Sequence, residues 1–172
     1  MKQITLHPEP FPKDRLQEKL DEYGIQTNRY AGVFFSHPGF VTEQTQPVTV
    51  MIASLRETGL ENGASLPEIS AHISGMCLEP CPAETGLFLR FAWKDQPASA
   101  SSVLSGTHEA PDGAVTVFSE PLEEGDDFPK GLYLRNVGGD LWLRGYVCGD
   151  DYRFPSDALF AFACVQSCPD DR

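Results

Sequence analysis

The segment GLYLRNVGGDLWLRGY, Gly131–Tyr146, constrains the fold more than any other part of the chain. Two stretches of apolar/polar alternation flank a Gly-Gly pair, and a period of two marks a strand with unlike faces. Two-residue hairpin turns need positive φ, which glycine adopts without steric penalty. With Gly138 and Gly139 as the turn, Val137 opposes Asp140, Arg135 opposes Trp142, Leu134 opposes Leu143 and Tyr133 opposes Arg144. Another even loop length keeps this division, because it still pairs even positions with odd ones. Leu132, Leu134, Leu141 and Leu143 therefore share one face, and Tyr133, Arg135, Trp142, Arg144 and Tyr146 share the other.

The rest of the chain supplies helices and further strands. In FPKDRLQEKLDEYGI, Leu16, Leu20 and Tyr23 recur at helical spacing between Pro12, a helix-start residue, and Gly24, a helix-stop residue. A second, short helix is predicted through LPEISAHIS, where Ser65 and Glu68 form a capping-box pattern, Pro67 suits the first turn and Gly75 ends the run. Strands are predicted at RYAGVFFSHPGFV, QPVTVMIASL, GLFLRFAWK, GAVTVFSE and, from the alternation of Phe160 and Phe162, the tail PSDALFAFACVQSC. Small and polar residues predict surface loops at 96–106 and 120–130. The expectation is one globular domain over 1–172 of the α+β class. Its mainly antiparallel sheet has roughly five to seven strands, with the N-terminal and middle helices on one face.

Charge narrows the classes of partner. Twenty-five acids against thirteen bases give a net charge of -12, which repels nucleic-acid phosphates and anionic lipid alike. Thirteen of those acids and five of the bases lie from Thr107 onward, so the acidic field belongs to the C-terminal part. A basic protein is the partner this charge favours. No apolar run approaches the roughly 18 residues of a membrane span, and Pro8, Pro10 and Pro12 interrupt any leader-like start. A cytoplasmic location is expected, with the five cysteines reduced.

No phosphate-binding, dinucleotide-binding or serine-hydrolase motif is present, and His108-Glu109 is followed by Ala-Pro-Asp, which supplies no second helical histidine ligand. The echoes CLEPCP and CVQSCP place Cys77, Cys81, Cys164 and Cys168 in two C-x3-C pairs. Brought together they match a tetrahedral zinc set, although zinc knuckles favour C-x2-C, and the preferred reading is buried or loop thiols with no metal and no cofactor. Cys148 has acidic neighbours that disfavour a thiolate, and nothing in the sequence places a base beside it. Catalytic residues are therefore not assigned.

Two features point to binding. Trp, Tyr and Arg, the residues most enriched at interface hot spots, gather on the hairpin as Tyr133, Arg135, Trp142 and Arg144. The run holding Glu123, Glu124, Asp126 and Asp127 can steer a basic protein by long-range attraction. The same pattern has a structural explanation, since cation–π stacking across a hairpin stabilises the sheet by itself. The function expected is a non-enzymatic acidic protein-binding module of the inhibitor, immunity or adaptor type. The alternatives are a small enzyme with an unrecognised site and a nucleic-acid-mimicking inhibitor.

Overall fold

The computed structural model describes residues 1–43, 46–100 and 113–168. The strands are β1 (Lys2–Leu6), β2 (Ile25–Thr27), β3 (Val48–Ser54), β4 (Leu78–Glu79), β5 (Val115–Val117), β6 (Gly131–Val137), β7 (Asp140–Tyr146) and β8 (Leu159–Cys164). The helices among the described residues are α1 (Leu16–Glu22), α2 (Arg29–Ser36), α3 (Leu66–Ile73) and α4 (Thr85–Ala92). All eight strands join one sheet in the order β1-β3-β8-β5-β6-β7-β2, with β4 pairing β8 off that path. The α+β class holds, but the sheet is mixed: β5 runs parallel to β8, and β2 parallel to β7. The count exceeds expectation because β1, β2 and β4 are short edge pieces without a turn-bounded apolar run in the sequence.

The hairpin forms in the expected register, with Val137 against Asp140, Arg135 against Trp142, Leu134 against Leu143 and Tyr133 against Arg144. Gly138 and Gly139 have φ of 62° and 95°, the left-handed values a two-residue turn demands. Strand β8 then divides the core in two. Ala161 and Ala163 face a cluster with Leu132, Leu134 and Leu143, covered by α1, α2 and α4. Phe160 and Phe162 face the opposite cluster, which holds Ile69 and Ile73 of α3. The two expected helices thus lie on opposite sides of the sheet, a correction that follows from the alternation within β8.

Two predicted strands are helices. In RYAGVFFS, Asn28 caps α2 through its Oδ1, which accepts from the Ala31 amide at 2.9 Å, and the buried residues Ala31, Phe34 and Phe35 fall at helical spacing. In TGLFLRFA, burial runs unbroken from Thr85 to Arg90, and a helix buried all round carries no polar stripe to separate it from a strand. Helix α2 sits directly on β7. A Cβ at Gly145 would lie 2.5 Å from the Tyr30 carbonyl carbon, and the Asn28 amide pairs with the Gly145 backbone in both directions, at 2.8 and 3.0 Å.

The cysteines also differ from expectation. Leu78 pairs with Cys164, and the Val165 amide donates to the Cys77 carbonyl at 3.0 Å, so the two C-x3-C segments meet. Cys77 and Cys168 form a disulfide with Cα atoms 5.5 Å apart, within the usual range for the bond. The four-thiolate zinc set is therefore divided: two thiols bond each other, and the buried Cys81 thiol donates to the Ala161 carbonyl at 3.5 Å. Pairing across sequence-distant strands, which spacing does not reveal, is the reason. No helix among the described residues is long and apolar enough to cross a membrane.

Candidate functional site

The aromatic and arginine face of the hairpin exists, but only part of it is accessible. Strand β5 has three residues and pairs with β6 at Tyr133 and Leu134, leaving the edge of β6 beyond them to another partner. The segment after α4 takes that edge. Gln96 Nε2 donates to the Leu134 carbonyl at 3.2 Å, the Ser99 amide donates to the Asn136 carbonyl at 2.7 Å, and Asn136 Nδ2 returns a bond to the Gln96 carbonyl at 2.7 Å. Arg135, in contact with Ser99 Oγ at 3.2 Å, is 0% exposed, and Tyr133 is 8% exposed. Both are therefore covered within the fold: Ser99, 36 positions away, lies on Arg135, and Tyr133 packs beside Tyr146 with ring centroids 6.4 Å apart.

Trp142 and Arg144 remain half-exposed. The Arg144 guanidinium lies 5.1 Å from the Trp142 ring centroid, and its Nε donates to the Tyr133 hydroxyl at 2.8 Å. Arg144 makes no ion pair among the described residues. Its charge is oriented by a ring and a phenol, which leaves it available to a carboxylate from outside.

At the base of the hairpin the acidic loop is pinned by apolar residues and presents its acids to water. Leu122 and Phe128 pack against the larger core, and Phe128 meets the edge of the His37 ring at 5.4 Å. Glu123, Glu124, Asp126 and Asp127 are exposed. The contacts to base are few: Glu123 lies 3.7 Å from His37 Nε2, and Asp126 lies 3.8 Å from Lys130 Nζ. Asp150 and Asp151 join this end from beyond β7. A Cβ on Gly149 would stand 2.8 Å from Asp151 Oδ1 and 3.3 Å from Asp126 Oδ2. The CGDD run after the hairpin was the sequence signal for this convergence, but only the fold brings it to the loop.

Beside the acids a cleft of about 170 Å³ opens between the start of α3 and the ends of β5 and β7. Lys130, Tyr146, Ser119, Glu120 and Asp150 supply its polar lining. Burial holds the Tyr146 phenol far above its ordinary range, so it remains a neutral donor.

Nucleophilic chemistry finds no support here. Burial pushes the Cys148 thiol up to about 11; Lys130 opposes that shift, and Asp150, Asp126 and Asp151 reinforce it. At neutral pH Cys148 is a thiol, not a thiolate. His72 Nε2 donates to the Thr58 carbonyl at 2.6 Å, a bond that fixes α3 to the preceding turn. His108 lies outside the described residues. Among the described residues no group of three or more His, Cys, Asp or Glu side chains is arranged to hold a metal.

Comparison of the chain with family profiles, with curated proteins and with solved structures yields no match.

Proposed function

We propose that the chain is a binding module for a basic protein, with the acidic end of the hairpin as the steering surface and Trp142 with Arg144 as its anchor. The observation that carries this reading is the convergence of Asp126 and Asp151 on Gly149, with Asp150 next to it in the chain and Glu123, Glu124 and Asp127 exposed on the same loop. Carboxylates bunched on one end accelerate the encounter with a positively charged surface. Asp126 and Asp151 meet locally at Gly149, a bunching that supports protein capture over a phosphate-like row. Arg144, held on Trp142 and Tyr133, adds a cation on the hairpin face, so the surface offers both signs to a partner.

Cross-linked capture with wild type, Trp142→Ala/Arg144→Ala, and a variant neutralising Glu123, Glu124, Asp126 and Asp127 tests the reading. A partner of basic isoelectric point is expected. Its association rate falls with added salt and with neutralisation of the loop, and its dissociation quickens about tenfold or more in the Trp142/Arg144 variant. Capture of the same proteins by all three forms, or of acidic proteins, would remove the proposal.

A further inference from the structure

The cleft at the base of the hairpin is too small for a drug-sized or nucleotide ligand, since its volume of about 170 Å³ falls below the roughly 300–1,000 Å³ of such sites. Its walls are apolar, formed by Leu66, Pro67, Pro80, Phe118 and Pro121. Its polar groups carry both signs. The Lys130 side chain is 8% exposed and lines the cleft, and its ammonium forms no hydrogen bond among the described residues. Its one ion pair there is with Asp126 at 3.8 Å, a carboxylate itself 72% exposed. With its stem buried and its ammonium lining the cleft, Lys130 offers a hydrogen-bonding cation to an acceptor that enters there.

Glu120 and Asp150 line the same cleft, are exposed, and make no ion pair with Lys130. A simple anion that reached Lys130 would face these two carboxylates, and a simple cation would face Lys130. A ligand carrying both charges a short distance apart meets neither conflict. We propose that the cleft binds a small zwitterion of the α-amino-acid class. The ligand's carboxylate lies on the Lys130 ammonium, its ammonium is directed toward Glu120 and Asp150, and its side chain rests against Phe118 and the prolines. This site needs no macromolecular partner, so it stands or falls separately from the protein-binding reading.

The test is titration of the isotope-labelled protein with alanine, valine, leucine and phenylalanine, following the amide resonances of Ser119, Glu120, Lys130 and Tyr146. Each amino acid is paired with its des-amino acid and its decarboxylated amine, which keep the side chain and lose one charge. At least one amino acid is expected to saturate, with both of its single-charge analogues about tenfold or more weaker. Lys130→Met is expected to erase the preference over the amine, and Glu120→Gln/Asp150→Asn the preference over the acid. The analogue series on the wild-type protein decides the matter even where a variant folds poorly. Absence of saturation by all four amino acids, equal binding of the single-charge analogues, or shifts that map away from the cleft would each overturn the assignment.

Discussion

Glu84 is a residue whose chemistry the fold perturbs without a catalytic reason. It stands just before α4 with 6% of its surface exposed, and burial raises its carboxyl above the ordinary range. The folded state therefore holds this proton to higher pH than the unfolded chain does, and stability falls as pH rises from the unfolded value of 4.5 through the raised folded one. Glu84→Gln is expected to remove that fall, raising stability near neutral pH and leaving it unchanged in acid, as urea unfolding at several pH values will show. Gly145 is constrained differently. A methyl group there meets the backbone of Tyr30 and Ala31, so Gly145→Ala is expected to lose about 3 kcal/mol or more, read from the urea midpoint at unchanged slope. Sequence periodicity placed Arg135 and Trp142 on the same face correctly. It did not separate them by exposure, because Arg135 is met by Ser99 of the segment after α4, whose approach leaves no periodic trace.

Among elements, the hairpin was legible to the residue pair, since its register follows from two glycines and a period of two. Gly138→Ala/Gly139→Ala places two side chains in left-handed backbone at about 1–2 kcal/mol each. The expected outcome is a loss of that order in equilibrium unfolding, with no loss of leucine burial in the part that remains folded. Helix α3 was equally legible, because its cap is local: Ser65 Oγ accepts from the Glu68 amide at 3.5 Å, and Glu68 Oε2 accepts from the Ser65 amide at 2.8 Å. Helices α2 and α4 were read as strands for a shared reason. Both runs are short and rich in aromatic residues, which strands also favour, so the choice between helix and strand passes to what lies beneath them. For α4 this includes a buried cation: the Arg90 guanidinium donates to Gln96 Oε1 at 2.6 Å and to the Trp93 carbonyl, with burial lowering it to about 10. It ties the helix end to the segment that closes the edge of β6.

At the scale of the whole molecule, the Cys77–Cys168 bond joins positions 91 residues apart and fastens the chain after β8 to the turn before β4. Loop-closure entropy sets its contribution at about 4–5 kcal/mol as a ceiling. Reduction, or Cys168→Ser, is expected to lower stability in urea unfolding by up to that limit. The bond also replaces two of the five reduced cysteines that the sequence leads one to expect. The sequence by itself determined the α+β class, the hairpin and its register, helices α1 and α3 and the acidic bias of the C-terminal part, because each is encoded in neighbours a few residues apart. Only the tertiary structure decided which arginine is covered, which cysteines bond, and which carboxylates gather around Gly149 with Lys130 behind them. These depend on contacts between strands distant in sequence, and their free energy comes from burial that exists once the whole sheet is assembled.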